Sequence, residues 1–375
     1  MSKTVLVTGA AGFIGRHVME ALERRPGVHA IGCDIETTLE SLQAGQRQAD
    51  VVVHLAGVNR PRDPAEFKTG NSDFTSWICA ELKTGARCPI LVLSSSIQAS
   101  LDNPYGQSKR AAEVALEEWA SAGGGRAILF RLRNVFGKWC RPNYNSVTAT
   151  FCHNIAHHLP IQISDETREL ELVYIDDVIE AFLACIDLPM IPGVEKREVS
   201  TYYQTTLGEL AATLRSFGAS RETLLLPAFS TEFMRRLYAT YLSYLSPEEF
   251  SYPLQQRTDD RGTLAEFMKS GHFGQIFVSR TKPGVTRGNH YHHTKTEKFL
   301  VMEGSAIIRF RAINGQEIIE HRVDGGQFRV IDIPPGYTHS IQNVGVRDLV
   351  TLFWASEIYD PQAPDTIALS VVVPQ

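Results

Sequence analysis

Val5-Leu6-Val7-Thr8-Gly9-Ala10-Ala11-Gly12-Phe13-Ile14-Gly15 leads from an apolar run of strand length into a helix-forming stretch through three glycines spaced three apart. Glycine adopts backbone conformations closed to other residues and lets a ligand approach the main chain. The helix that follows turns its unpaired amides, and the positive end of its dipole, toward the turn. A strand, a glycine turn and a helix start together make a cradle for a pyrophosphate. Gly9, Gly12, Phe13, Ile14 and Gly15 are therefore expected to bind a dinucleotide.

Outward from this turn, strand-like runs at residues 5–7, 29–32, 51–55, 90–93 and 127–130 alternate with helical patterns at 15–25, 64–83 and 105–122. Helical patterning resumes at 176–186, 206–217 and 232–244. Strands alternating with helices predict an α/β Rossmann-like, doubly wound parallel sheet. The texture changes near Ser246-Pro247. From about residue 262, short alternating runs at 275–279, 298–302, 306–311, 328–331 and 349–354 are separated by turn residues. Such spacing predicts an all-β barrel or jelly roll. Two domains are expected, residues 1–245 and 246–375, which suits a chain of 375 residues.

Composition narrows the functional classes. The 43% hydrophobic and 21% charged content is that of a globular chain. A net charge of −5 without a basic block argues against a nucleic-acid partner. No apolar run reaches the roughly 18 residues that span a bilayer. The start, Met1-Ser2-Lys3-Thr4, runs directly into a strand and leaves no room for a signal peptide. None of the six cysteines forms a C-x-x-C pair, so reduced, buried thiols in a cytoplasmic protein are expected.

Tyr105-Gly106-Gln107-Ser108-Lys109 places a phenol and an ammonium four residues apart, on one face of a helix. The expected effect of Lys109 is to lower the Tyr105 pKa and make Tyr105 a usable proton donor near neutral pH. Asp34 closes the second strand. A carboxylate there ordinarily bonds the adenosine ribose diol and repels a 2′-phosphate, favouring NADH, although a solvated turn aspartate is an equal reading of Cys33-Asp34-Ile35-Glu36.

The second half carries Gly284-x5-His290-x-His292-x4-Glu297-x6-Gly304, then Gly326-x7-Pro334-x-Gly336-x2-His339-x3-Asn343. Positions two apart on a strand share a face, so His290 and His292 can both turn inward. Three imidazoles and a carboxylate suit a divalent metal, with Zn2+ placed ahead of Fe, Mn, Ni and Cu. His293 is expected at the surface or behind the ligands.

These motifs carry resemblances. The G-x-x-G-x-x-G spacing, Val53-His54-Leu55-Ala56-Gly57, the Y-x-x-x-K pair and Tyr174-Ile175-Asp176-Asp177-Val178 resemble the extended short-chain dehydrogenase/reductase family. That likeness implies that Leu55, Ala56 and Gly57 line the cofactor and that Ser96, at the end of Ser94-Ser95-Ser96, bonds the substrate oxygen. It implies that Asn134, in Arg131-Leu132-Arg133-Asn134-Val135-Phe136-Gly137, and Arg168 contact a nucleotide-sugar diphosphate. The histidine-rich half resembles the two cupin motifs, whose ligands fall on His290, His292, Glu297 and His339.

Taken with Phe136-Gly137-Lys138-Trp139-Cys140 and Gly288-Asn289-His290-Tyr291-His292-His293-Thr294-Lys295, the chain resembles one family nearly end to end. This is the bifunctional bacterial UDP-2-acetamido-2,6-dideoxy-4-keto-hexose epimerase/reductase family of capsule and O-antigen synthesis. The likeness implies a UDP-4-keto-6-deoxy-N-acetylhexosamine substrate, C3 epimerisation by the cupin, and C4-ketone reduction by the first domain. It further implies NADPH as cofactor, a homodimer, and UDP-2-acetamido-2,6-dideoxy-β-L-talose as product, on the route to UDP-N-acetyl-L-fucosamine. The chemistry is coherent, because a hydrogen at C3 is α to the C4 carbonyl and a metal can stabilise the enolate. A 4,6-dehydratase would carry an Asp-Glu pair after the strand-end hydroxyl, where this chain has Ile97-Gln98-Ala99. A 4-epimerase that recycles its cofactor and a non-catalytic metabolite sensor are the remaining alternatives.

Overall fold

Six parallel strands form the first sheet, in the order Val28–Cys33, Lys3–Thr8, Val51–His54, Ile90–Ser96, Arg126–Leu132 and Gly193–Arg197. The computed structural model that shows this describes residues 2–85 and 87–372. Helices cover both faces, so the central strands are continuous apolar runs rather than alternating ones. Val5, Val7, Val53, Val92 and Phe130 pack with Val18 and Leu22 of the helix Phe13–Glu23 and with Val178 and Phe182 of Ile175–Leu183. Leu6, Val52, Leu91 and Leu129 face the other way, against Leu42, Ile78, Leu82 and Leu116.

The chain leaves Lys3–Thr8 for the strand on one side and returns to Val51–His54 on the other. The crevice between those two strand ends is the switch point where an open α/β sheet binds its ligand. The glycine turn opens there. A separate three-stranded sheet, Asn134–Phe136, Glu169–Tyr174 and Tyr203–Thr206, carries Asn134.

The helical pattern expected over 64–83 is not one helix. It resolves into a short turn at Ala65–Phe67, a π-helical stretch at Lys68–Asp73 and an α-helix at Phe74–Thr84. The π stretch holds Asn71 and Ser72 buried, an irregularity of the kind common at functional sites.

The chain divides into two units, residues 1–214 with 235–245 and residues 215–234 with 246–375. The expected cut at 245/246 is thus one of several crossings. Residues 215–234 group with the second unit because Leu226 N donates to Lys269 O at 2.8 Å and Lys269 N to Leu224 O at 2.7 Å.

The second unit is all-β. One antiparallel sheet runs Gln256–Asp259, Gly262–Ser270, Gly274–Thr281, Leu349–Ala355, Glu297–Glu303, Val330–Ile333. The other runs Ile318–Asp324, Ser305–Ala312, Tyr337–Asn343, Thr286–Tyr291, Ile367–Ala368. Side chains of both meet in one core of Phe299, Val301, Ile308, Phe310, Ile341 and Phe353, the architecture of the expected cupin. The run expected at 328–331 is displaced to Val330–Ile333 because Phe328 takes a left-handed backbone (φ 45°) and sits in the turn.

No helix among the described residues is long and apolar enough to cross a membrane. All six cysteines are free. Five are buried as expected, whereas Cys88 is exposed.

Candidate active site and candidate metal centre

Gly9 has φ +70°, and a Cβ there would stand 2.8 Å from Ala56 N. A Cβ on Gly15 would stand 2.0 Å from Gly9 O and 2.8 Å from Ala10 Cα. The turn therefore closes on itself only with hydrogen at these positions. Gly15→Ala should displace the turn and weaken dinucleotide binding at least about tenfold, roughly 1.4 kcal/mol. Titration calorimetry checks this, and a wild-type dissociation constant would contradict it.

Asp34 sits at the mouth of the turn. Its Oδ2 accepts from Ala11 N at 2.6 Å and its Oδ1 from Ile35 N at 2.8 Å. Thr8 Oγ1 is 2.7 Å from His54 Nδ1 and accepts from Ala56 N at 3.3 Å, which fixes Leu55-Ala56-Gly57 against the strand ends. Burial, with Lys109 adding to it, pulls the His54 pKa down to about 3, so this ring is a neutral spacer. Asn71 completes the loop, with Val58 N donating to its Oδ1 at 2.8 Å and its Nδ2 donating to Val58 O and Ser108 Oγ at 3.0 Å each. Neither His54 nor Asn71 was singled out in the sequence as a positioning residue. Only the π-helical turn reveals the role of Asn71.

The helix Pro104–Trp119 starts on Asn103, whose Oδ1 accepts from Gly106 N at 2.8 Å, with Pro104 at its first position. It brings Tyr105 and Lys109 beside the three serines. Each serine has a distinct place. Ser94 O accepts from Lys109 Nζ at 3.3 Å, Ser95 Oγ donates to Glu113 Oε1 at 2.6 Å, and the Ser96 hydroxyl bonds Tyr105.

Lys109 does not lower the Tyr105 pKa as the helical spacing predicts. Burial raises it, and the Ser96 hydrogen bond only tempers that rise. Lys109 Nζ lies 5.9 Å from the ring centroid and is directed at Ser94 O. Its own pKa is pulled down to about 8 by burial, with Glu113 one turn later opposing. Glu113 is in turn gripped by Arg131 through two hydrogen bonds of 2.9 and 2.7 Å. Tyr105 is thus held protonated, the state a proton donor requires.

A cavity of about 460 Å³ collects Gly9, Phe13, Ile14, Gly15, Leu55, Gly57, Ser96, Tyr105, Lys109 and Asn134. Gly12, Asp34 and Ala56 are not among its lining residues. A second cavity of about 420 Å³ shares Gln98, Asn134, Tyr144, Asn145 and Ser146 with the first and adds Arg60 and Arg168. The two adjoin as a candidate dinucleotide cleft and an extension that carries Arg60 and Arg168, each of a size that takes a small ligand.

In the second unit, His290, His292, Glu297 and His339 bring one ligand atom each to within 4.8 Å of all the others. His290 is the penultimate residue of the strand Thr286–Tyr291, after a bulge between Gly288 and His290, and His339 is its cross-strand partner. His292 lies just past that strand, so it is placed by the following turn rather than by strand alternation. His292 Nε2 and His339 Nε2 are buried without a hydrogen-bond partner. They come within 3.3 and 3.4 Å of Glu297 Oε2 without the alignment of a hydrogen bond.

Burial foremost, then His339, brings the His290 pKa down to about 4, leaving a neutral imidazole. Burial disfavours a Glu297 carboxylate, but His292 and His339 outweigh it and hold its pKa well below the ordinary range. Unpaired imidazole nitrogens around a carboxylate fit a divalent metal. His293 is exposed.

A switch-point crevice, a glycine turn and a tyrosine–lysine helix define a dinucleotide-binding α/β enzyme fold, here joined to an antiparallel β unit. The chain belongs to the NAD dependent epimerase/dehydratase family, which matches residues 5–192. The polysaccharide biosynthesis C-terminal domain matches residues 257–367. The chain is 45% identical to UDP-2-acetamido-2,6-beta-L-arabino-hexul-4-ose reductase of Pseudomonas aeruginosa, over 98% of each. It superposes on the capsular polysaccharide assembling protein CapF of Staphylococcus aureus with a TM-score of 0.89 at 45% identity, covering 98% of this chain and 100% of that one. UDP-glucuronic acid 4-epimerase of Bacillus cereus shares the fold (TM-score 0.55, 19% identity, 64% of this chain and 98% of that chain).

Proposed function

We propose that the first unit reduces the C4 ketone of a UDP-4-keto-6-deoxy-N-acetylhexosamine and that the metal centre of the second epimerises C3 beforehand. The reduction rests on one observation above all, the convergence of Ser96, Tyr105 and Lys109 on the cavity lined by the glycine turn. The full-length likeness to a UDP-sugar reductase supports the substrate class. A bound nicotinamide dinucleotide supplies the hydride to C4. Tyr105 holds the proton that the carbonyl oxygen gains, and Ser96, bonded to Tyr105, orients that oxygen. Lys109, backed by Glu113, supplies a positive charge in the same cavity that favours the developing alkoxide. Asn134 and Arg168 take the diphosphate.

For the epimerisation, His290, His292, Glu297 and His339 would hold a divalent cation, whose Lewis acidity would make a hydrogen beside the C4 carbonyl easier to remove. Incubation with the 4-keto sugar and reduced nicotinamide, with C3 and C4 stereochemistry read by NMR, tests both steps. Stoichiometric oxidation of the nicotinamide is expected. Turnover without net oxidation would instead indicate a 4-epimerase.

Cofactor choice divides the arguments. The family likeness implies NADPH, whereas Asp34 argues for NADH. Both carboxylate oxygens are tied to backbone amides, so the charge cannot swing away from a 2′-phosphate. Of Arg60 and Arg62, the arginines after the third strand that could offset it, Arg60 lines the distal cavity. We therefore place NADH first. At equal concentration the initial rate with NADH should exceed that with NADPH at least about tenfold, and Asp34→Ala should narrow the gap, since tenfold corresponds to about 1.4 kcal/mol. Equal or faster rates with NADPH would return the choice to the family likeness.

A further inference from the structure

The C-terminal segment 365–371 runs along the strand Thr286–Tyr291, which carries the candidate ligand His290 and leads directly into His292. Ile367 and Ala368 pair with Tyr291 and His290 as an added edge strand. Leu369 N donates to Asn289 O at 2.9 Å, and Val371 N donates to Asn289 Oδ1 at 3.2 Å. Asn289 is the left-handed residue (φ 59°) of the bulge that aims His290. At the near end, one oxygen of Asp365 accepts from His293 N at 2.9 Å, and the other accepts from Thr294 N and Lys295 N at 2.8 Å each. Its main-chain carbonyl accepts from His292 Nδ1. Along the segment, Thr366 Oγ1 accepts from the buried Lys295 ammonium at 3.1 Å, and Leu369 O accepts from Thr338 Oγ1, the residue before His339. At the far end the buried Arg311 donates to Val371 O at 2.9 Å and Ser370 O at 2.8 Å.

From these contacts we propose that residues 365–371 are a strap that builds the metal centre, with Asp365 as the positioning residue that sets the His292 ligand. The proposal rests on the metal reading above and extends it beyond residue 367, where the family match ends. The physical logic is tautomeric and geometric. A carbonyl that accepts a hydrogen bond from His292 Nδ1 keeps the ring proton on Nδ1 and leaves the Nε2 lone pair free to bind an ion. The Asp365 carboxylate meanwhile ties three successive amides of the turn 293–295, which leads from His292 to Glu297. A ligand loop without such a clamp would have to be ordered by the metal itself, at the cost of affinity.

The test uses the full chain, stripped of metal and reloaded with Zn2+ against a competing chelator. Asp365→Ala should weaken Zn2+ binding about 10- to 100-fold and speed its release, while the melting temperature of the metal-free protein and its dinucleotide affinity stay near wild type. Asp365→Asn, which keeps one acceptor oxygen, should recover part of the loss. Thr338→Val loosens the strap at its midpoint without touching a ligand and should weaken Zn2+ several-fold. It serves as the deciding variant if Asp365→Ala does not fold. Wild-type Zn2+ affinity in Asp365→Ala, or in Thr338→Val where it decides, would overturn the strap while leaving the metal reading intact. Failure of the wild-type chain to take up Zn2+, Fe2+ or Mn2+ would overturn both.

Discussion

Tyr105→Phe should lower ketone reduction by about 100- to 10,000-fold, the range over which a positioned general acid contributes. Nicotinamide affinity should change little. The phenylalanine ring fills the same half-buried site against Phe67, whose ring centroid lies 5.7 Å away, so only the proton donor is removed. Stopped-flow measurement of nicotinamide oxidation gives the rate, and fluorescence titration gives the affinity. Reduction retained above a few per cent of wild type would remove Tyr105 from the role.

The pH profile offers an independent check. Tyr105 is held protonated by burial, so its own ionisation does not limit the rate near neutrality. Lys109 loses its proton near pH 8 because burial disfavours the ammonium. The positive charge proposed to stabilise the alkoxide is therefore present below that pH and lost above it. kcat/KM for reduction should fall as pH rises through about 8, and a profile flat to pH 10 would contradict this arrangement.

Removal of the proposed metal is the second large expected effect. Wild-type protein in D2O, without nicotinamide, should exchange the C3 hydrogen of the 4-keto sugar. Chelation or His339→Ala should suppress that exchange by at least about 100-fold, since the Lewis acid contributes several kcal/mol to stabilising the enolate. Dinucleotide binding should be unaffected. Zn2+ at a hundred times its dissociation constant should also stabilise the wild-type fold by about 2.7 kcal/mol, and the His339→Ala fold by much less. Exchange that persists in metal-free protein would place the epimerisation elsewhere.

The periodic features of both halves were legible in the sequence because they follow from local chemistry. A buried parallel strand must be apolar on both faces, and Val5-Leu6-Val7 and Val51-Val52-Val53 are. A phosphate-binding turn must lack Cβ atoms where the backbone crowds, and Gly9 and Gly15 do. The four candidate metal-ligand positions follow a fixed spacing, and the fold brings them together even though His292 lies beyond the strand expected to carry it.

What the sequence could not give depends on distances between residues far apart in the chain. Nothing in Asn71, Glu113 or Asp365 marks them locally. Asn71 reaches Ser108 and Val58 through a π-helical turn, Glu113 pairs with Arg131 of a neighbouring strand, and Asp365 clamps amides seventy residues earlier. The sign of the Tyr105 shift was likewise a tertiary matter. Four residues on a helix bring the ammonium near, but packing decided that burial outweighs charge and that Lys109 turns to Ser94. Local pattern determined the elements and the residue types at the site. Desolvation and long-range hydrogen bonds, which exist only once the chain has packed, decided the protonation and positioning of those residues.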